Sequence, residues 1–226
     1  MHRVYRLILS LVVAGLLGGP VAAQRASAAP PARGGVACPV AGGATVVLDP
    51  GHGGFDSGAT ATLSDGTVVL EKDLNLAVAN IVEDALAAQG ITVALTRSGD
   101  VALGNGERGE IANACRAGVL VLIHFNSSSD PEIDYTKTFW GKKRKDLDFS
   151  THMNAALVAG ISGVADGGVG QFANGALLQA TMPSALAETV FLSNPAEAEA
   201  LREPYGPRAR EIAAALAGGI ASWSGI

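Results

Sequence analysis

The chain has 226 residues, a formal net charge of −5 at pH 7 and a hydrophobic fraction of 48%. This length favours one globular domain, and the apolar content is ample for a packed core. An acidic balance argues against a nucleic-acid-binding protein, which would normally be basic. We therefore expect no nucleic-acid partner.

Residues 1–28 have the features of a secretory signal peptide. Arg3 and Arg6 precede an apolar stretch that is too short to span a bilayer comfortably. Small residues follow, so cleavage is expected after Ala23 or after Ala28; an uncleaved membrane anchor is the alternative. Cleavage implies a secreted protein, in the periplasm or the cell-wall space, with no stable membrane insertion once the signal is removed.

Residues 29–43 are rich in alanine, proline and glycine, and predict a flexible segment ahead of a single domain over 44–226. This segment contains Cys38, and the other cysteine is Cys115. Export makes a disulfide between them possible, with a buried Cys115 and a free Cys38 as the alternative. Neither cysteine has the CxxC spacing of a structural zinc site, so neither is assigned as a ligand.

The first half of the domain alternates between strand and helix patterns. Apolar runs predict strands, and apolar residues at helical spacing predict helices, the first of which ends at Gly90. The predicted strands are 44–49, 91–96 and 119–125, and the predicted helices are 71–89 and 107–117. Such alternation implies parallel strands joined by crossovers. We predict a single α/β domain with a largely parallel or mixed central sheet and helices on both faces.

Residues 127–149 interrupt this alternation, because they are polar and contain a basic run over 142–145. They predict a solvated surface hairpin. The alternative is a segment that borders the cleft and contacts anionic stem peptides or wall polymers. The remaining elements predicted from the pattern are a helix at about 150–161, strands at 176–178 and 185–191, and a helix at about 207–222.

Two apolar strands deliver a histidine where each strand ends. His52 lies in a glycine-rich turn, His124 follows the run 119–123, and Glu71 opens the helix between them. Ligands bind at the carboxyl edge of an open α/β sheet. Two histidines and one carboxylate, with a fourth position open, make a catalytic zinc site. The pattern predicts one Zn²⁺ bound by His52, Glu71 and His124, with Asp73 as the competing carboxylate.

Glu188 is the candidate general base, because it interrupts an apolar strand. A buried carboxylate without a partner is costly and is usually tolerated only at a functional site. A zinc hydrolase needs such a base beside the attacking water. The alternative is a structural pair between Glu188 and an arginine such as Arg97. His152 enters a helix from a polar stretch and is expected to stay outside the ligand set.

Five sequence blocks in this order resemble the zinc-dependent N-acetylmuramoyl-L-alanine amidases, and the resemblance runs from about residue 44 to the C-terminus. The blocks are 48–54, Glu71, 95–97, 123–126 and 188–195. The resemblance implies that His52, Glu71 and His124 ligate zinc and that Glu188 is the catalytic glutamate. The implied reaction is hydrolysis of the amide bond between N-acetylmuramic acid and L-alanine, in peptidoglycan or in muropeptides, by a small, secreted, single-domain monomer.

Two departures from the family pattern bear on substrate preference. Phe125 follows the second histidine and is expected to place a bulky ring near the metal edge, and Thr189-Val190 follows Glu188. Neither change removes a ligand. A secreted zinc peptidase acting on stem-peptide bonds, an inert wall-binding or activator protein and a zinc carrier are the competing interpretations.

Overall fold

The structure is a computed structural model that describes residues 37–225. The predicted signal peptide and residues 29–36 lie outside the described residues. The elements are β1 (Val46–Pro50), β2 (Thr60–Thr62), β3 (Val68–Leu70), α1 (Glu71–Ala87), β4 (Val93–Leu95), α2 (Asn105–Ala114), β5 (Val119–Asn126), β6 (Tyr135–Trp140), α3 (Lys143–Gly160), β7 (Ala165–Gln171), α4 (Gly175–Gln179), β8 (Ser184–Phe191), α5 (Pro195–Ala200) and α6 (Pro207–Ala221). None of these helices is long and apolar enough to cross a membrane.

Six of the strands form one mixed sheet in the order β4-β1-β5-β8-β6-β7. Strands β4, β1, β5 and β8 run parallel, β6 runs antiparallel to β8, and β7 runs parallel to β6. Helices α1, α3 and α6 pack on one face of the sheet, and α2 and α4 pack on the other. This arrangement confirms the predicted single α/β domain with a mixed sheet covered on both faces.

The central strands are largely apolar because helices cover both of their faces. Strand β1 is buried at all five positions, and the first five residues of β5 are buried as well. Helix α1 contributes Leu74, Val78 and Val82 to the same core. Strands β1, β5 and β8 end at one edge, where His124 is paired in register with Glu188.

The predicted strand at 176–178 is wrong, because these residues belong to helix α4. Asn174 caps this helix, and its side-chain oxygen accepts a hydrogen bond from the backbone N–H of Ala176. Ala176 and Leu177 then pack into the core on the α2 side of the sheet. A short buried apolar run does not distinguish a helical turn from a strand, and here the cap residue decides.

The predicted solvated hairpin over 127–149 is also wrong. Strand β6 lies inside the sheet between β8 and β7, and α3 begins at Lys143 rather than near residue 150. Thr136 and Thr138 are fully buried, and their hydroxyls donate to the backbone oxygen of Glu188 and to Asn154. Those partners make a polar sequence compatible with the sheet interior. The edge strand β7 was not predicted, because three of its seven residues are glycine.

The disulfide between Cys38 and Cys115 is confirmed, with a Cα–Cα distance of 4.7 Å. Cys115 is buried after α2, and Ala44 donates a backbone hydrogen bond to its carbonyl oxygen. Both contacts lie where β1 and β5 begin, at the edge of the sheet opposite His52 and His124. The bond therefore attaches the N-terminal segment to the domain away from the histidines.

Removing this disulfide should lower the free energy of unfolding without changing the arrangement of His52 and His124 at the opposite edge of the sheet. The bond joins cysteines 77 positions apart in sequence. A loop of this length corresponds to a loss of roughly 4 kcal/mol in the chain-entropy model. Denaturant unfolding of a Cys38→Ser/Cys115→Ala variant, with wild type before and after reduction as the comparison, would measure it. An unchanged free energy of unfolding would contradict this expectation.

Candidate metal centre

Two buried arginines donate hydrogen bonds to the turn that carries His52. Arg97 donates to the carbonyl oxygens of Pro50 and Gly51, at 2.8 and 2.9 Å. Arg108 donates to the carbonyl oxygens of Pro50 and His52, at 3.0 and 2.8 Å. His52 itself has φ of 61°, a left-handed conformation that is uncommon for a residue with a side chain. These hydrogen bonds offset the cost of that conformation and fix the turn.

Two glycines leave the space that the ligand side chains occupy. A Cβ at Gly51 would lie 2.1 to 2.7 Å from three ring atoms of His124. A Cβ at Gly58 would lie 2.4 Å from Glu71 Oε2 and 2.6 Å from His52 Cδ2. Any larger residue at either position would displace one of the three side chains.

His52, Glu71 and His124 form a cluster that could hold a metal ion. One ligand atom from each residue lies within 4.8 Å of the others. Glu71 Oε1 is 3.2 Å from His52 Nε2 and 3.0 Å from His124 Nδ1. Ligands at typical zinc bond lengths in a tetrahedral arrangement are about 3.3 Å apart. The donor types and their spacing therefore fit Zn²⁺.

Two members of the cluster, His52 and Glu71, are oriented by further contacts. Asp56 Oδ2 lies 2.8 Å from His52 Nδ1, which leaves Nε2 of the same ring facing the cluster. Backbone N–H groups of Ala59 and Phe125 donate to the two carboxylate oxygens of Glu71, at 2.7 and 3.1 Å. Such partners fix the orientation of metal ligands and raise metal affinity.

The surroundings of the two carboxylates of the site shift their pKa values in opposite directions. Burial alone would raise the pKa of Glu71, but hydrogen bonds and charge from His124 and His52 hold it well below its usual range. Burial also raises the pKa of Glu188, and there the nearby histidines only partly oppose it. Glu71 is therefore suited to act as a permanently ionised metal ligand, and Glu188 is suited to act as a group that exchanges protons.

Glu188 lies beside the cluster without a partner of its own. Its Oε2 atom is buried and makes no hydrogen bond. It lines a cavity of about 290 Å³ together with His52, His124 and Phe172. The alternative pairing with Arg97 is wrong, because Arg97 donates to backbone carbonyl oxygens instead. A buried carboxylate left unpaired next to potential metal ligands is the arrangement expected of a general base.

The other sequence candidates lie elsewhere. Asp73 is exposed on α1 and is not part of the cluster. His152 contacts the carbonyl oxygen of Gly219 and packs against Trp223. The ring of Phe125 points away from the metal edge and into the core on the α1 face, so the expectation that it crowds the ligands is wrong. Alternation along β5 places His124 and Phe125 on opposite faces.

Sequence comparison places the chain among known proteins. The family model described as N-acetylmuramoyl-L-alanine amidase matches residues 46–222. The chain belongs to this family. The germination-specific N-acetylmuramoyl-L-alanine amidase of Bacillus subtilis is 30% identical over 177 residues, which cover 72% of this chain and 73% of the relative. The amidase LytC of the same organism is 35% identical over 71% of this chain, but the match spans only 32% of LytC.

Solved structures of family members share the fold. The catalytic domain of the amidase CwlV from Bacillus (Paenibacillus) polymyxa var. colistinus superposes with a TM-score of 0.69 at 32% identity. The match covers 77% of this chain and 94% of that domain. An N-acetylmuramoyl-L-alanine amidase from Clostridium difficile 630 gives a TM-score of 0.72 at 29% identity, over 80% of this chain and 96% of that one. The domain thus corresponds to an amidase catalytic domain.

Several residues that build the site were not identified from the sequence. Asp56 is four residues after His52 in the same turn, and this proximity was a usable signal. Asn75, which donates to the carbonyl oxygen of Gly51, and Arg108 gave no such signal. They reach the turn from helices that are distant in sequence, so only the tertiary structure reveals them.

Replacing Gly51 should weaken metal binding while the fold is retained. In Gly51→Ala the new Cβ would displace the His124 ring, and we expect metal affinity to fall by about 10- to 100-fold, as for other disturbed ligand supports. Gly218→Ala is the matched control, because its added Cβ would point into open space. Metal titration, with circular dichroism to verify folding, measures the difference. Equal affinities in the two variants would contradict the packing argument.

Proposed function

We propose that this protein hydrolyses the amide bond between N-acetylmuramic acid and L-alanine in peptidoglycan, with one Zn²⁺ bound by His52, Glu71 and His124. The observation that carries the proposal is the unpaired, buried carboxylate of Glu188 beside that three-residue cluster. Membership of the amidase family supplies the reaction. The nearby carboxylate favours hydrolysis over metal storage.

The zinc ion would supply Lewis-acid chemistry, activating a water molecule and polarising the scissile carbonyl group. Glu188 accepts a proton from the attacking water and later donates it to the nitrogen of the leaving L-alanine. Its raised pKa suits both halves of this transfer, because a buried carboxylate takes up a proton more readily than an exposed one. The arginine-held turn and Glu71 keep the ligand side chains in place throughout.

The cavity beside Glu188 is small relative to the polymer. Its volume of about 290 Å³ accommodates the groups around one amide bond. Glycan and peptide must then extend from it over the protein surface. Leu186 and Phe172 form apolar parts of its lining, and they reduce the access of bulk water to Glu188.

The domain boundaries and location belong to the same proposal. Residues 1–28 act as a signal peptide, residues 29–43 precede the domain, and residues 44–226 form the zinc amidase domain. The protein then acts as a monomer outside the cytoplasm, where its wall substrate and an oxidising environment are found. The disulfide between Cys38 and Cys115 supports this location.

Mass spectrometry of a defined muropeptide, incubated with the protein with and without a zinc chelator, tests the reaction. We expect chelator-sensitive release of an intact stem peptide that begins at L-alanine, together with the free muramyl sugar. Cleavage within the peptide would show a zinc peptidase instead. Absence of any cleavage by zinc-loaded protein would contradict the proposed activity.

Changing Glu188 should separate metal binding from turnover. Glu188→Gln preserves the shape of the side chain but cannot accept a proton, so we expect kcat to fall by at least about 10²- to 10⁴-fold. Zinc content should match wild type. Above the raised pKa of Glu188 the variant should also be no less stable than wild type, because it buries no charge. Loss of zinc from Glu188→Gln would overturn the assignment of Glu188 as the base.

Zinc affinity should decrease as the pH is lowered. Burial acts to lower the pKa of His52, but hydrogen bonds and charge from Glu71 and Asp56 outweigh it and raise the pKa in the metal-free site to about 9. Metal binds only the neutral imidazole, so below this pH each ion must displace a proton. We expect at least about a ten-fold loss of affinity per pH unit below pH 9. Competition titration with a chromophoric chelator measures this slope, and a pH-independent affinity would contradict it.

A further inference from the structure

Strand β6 extends the sheet face that carries Glu188. In the antiparallel pairing of β6 with β8, Lys137 is opposite Glu188 and Phe139 is opposite Leu186. Directly opposed residues project from the same face of a sheet. Glu188 and Leu186 both line the catalytic cavity. Lys137 and Phe139 therefore begin one strand beyond the general base, on the same side.

Phe172 connects this row to the cavity. Its ring lies 5.7 Å from the ring of Phe139, and its side chain forms part of the cavity lining. It is also among the exposed large hydrophobic residues, with 49% of its surface accessible. We call Lys137, Phe139 and Phe172 the β6 strip. Phe172 joins the strip to the catalytic cavity, Phe139 packs beside Phe172, and the Lys137 amine lies over the Phe139 ring. The strip is therefore an apolar surface that ends in one cation.

The amine of Lys137 is available to a ligand. It lies 5.6 Å from the centre of the Phe139 ring, and none of the ion pairs among residues 37–225 includes it. The glycines of β7 leave room for its stem, because a Cβ added at Gly170 would come within 3.3 Å of Lys137 Cε. The neighbouring strand therefore leaves the lysine uncovered, and its side chain is only partly buried.

The nearby basic run is not equivalent. Lys145 donates to Asp146, to the carbonyl oxygen of Leu177 and to Ser184, so its amine is already occupied within the fold. Lys143 is exposed at the start of α3 and does not line the catalytic cavity. Lys137 is thus the lysine of this segment that stands directly opposite Glu188 in the sheet.

The proposed reaction fixes which part of the substrate extends toward the strip. Glu188 donates a proton to the nitrogen of L-alanine, so the stem peptide must start on the Glu188 side of the cavity. Opposed residues in antiparallel strands have Cα atoms about 4.5 to 5.5 Å apart. An α-carboxylate on the second residue of the peptide lies at about two residues of chain, roughly 7 Å, from the L-alanine nitrogen, which is longer than the spacing of the two backbones. The lysine amine lies farther from Glu188 than the two backbones do, because its stem lies over Gly170 of β7 and its amine over the Phe139 ring, so the strip offers the carboxylate an opposite charge beyond the cavity.

We propose that Lys137 binds a free carboxylate on the second residue of the stem peptide, and that Phe139 and Phe172 support the adjoining peptide. This inference rests on the proposed amidase function. It makes Lys137 a specificity-determining residue, because a stem peptide amidated at that carboxylate would have no charge to pair with the amine. The enzyme should therefore discriminate between wall types by the charge of the second residue.

Two muropeptides that differ only at this group test the proposal, one with the free carboxylate and one with the carboxamide. For wild type, kcat/KM should be about ten-fold higher on the acid, as expected for one charge-assisted contact in a partly exposed site. The ratio should decrease as salt is added. In Lys137→Met the ratio should fall to about one, in Lys137→Arg it should persist, and in Lys137→Glu it should favour the carboxamide.

Lys143→Met is the matched control, because it removes an exposed lysine of the same segment and should retain the wild-type ratio. A wild-type ratio near one, or an unchanged ratio in Lys137→Met, would overturn the assignment of Lys137. These outcomes differ from failure of the proposed function, in which zinc-loaded wild type would cleave neither muropeptide. A purely structural role for Lys137 would lower both rates equally and would leave the ratio unchanged.

Discussion

The buried carboxylate of Glu71 is the contact on which the site depends. Its Oε1 atom contacts ring nitrogens of both His52 and His124. Its two oxygens also accept hydrogen bonds from the backbone N–H groups of Ala59 and Phe125. One side chain at the start of α1 thereby joins the turn after β1, the end of β5 and the loop before the β2–β3 hairpin. Only 3% of its surface is exposed. A charge buried to this degree requires such partners, and two of them, His52 and His124, complete the candidate metal centre.

A second buried network, formed by two arginines and Asp49, supports the turn that carries His52. Arg108 pairs with Asp49 at 2.7 Å, and together with Arg97 it binds the carbonyl oxygens of the turn after β1. Carbonyl oxygens in a left-handed, glycine-rich turn have no strand to pair with, and burying them unpaired would be costly. The two arginines satisfy them and so hold His52 in one conformation. Preorganisation of this kind would spare a bound metal ion the cost of ordering the turn.

The same sheet edge contains two glutamates with opposite properties. Glu71 is surrounded by donors, which lower its pKa, whereas Glu188 is buried without a hydrogen bond at Oε2, which raises its pKa. The difference arises because Glu71 starts a helix beneath the histidines and Glu188 projects from a strand into a cavity. One fold thus provides one carboxylate suited to ligating a metal ion and one suited to accepting a proton, as the proposed mechanism requires.

Much of the architecture and the candidate ligands follow from sequence. Continuous apolar runs determine β1 and β5, the helical spacing of Leu74, Val78 and Val82 determines α1, and the ends of those elements identify His52, Glu71 and His124. These signals are local, because burial on both faces favours apolar residues at nearly all strand positions.

Tertiary structure decided the rest. Thr136 and Thr138 of β6 are polar, and they enter the sheet only because Asn154 and the backbone of β8 satisfy their hydroxyls. Ala176 and Leu177 form a helix because Asn174 caps it. The side-by-side placement of Lys137 and Glu188 exists only through the pairing of two strands some 50 residues apart in sequence. Sequence alone determined which apolar runs must be buried, whereas the pairing of distant strands determined which residues meet and which polar residues are buried with them, because the energy of such contacts depends on partners that no local pattern records.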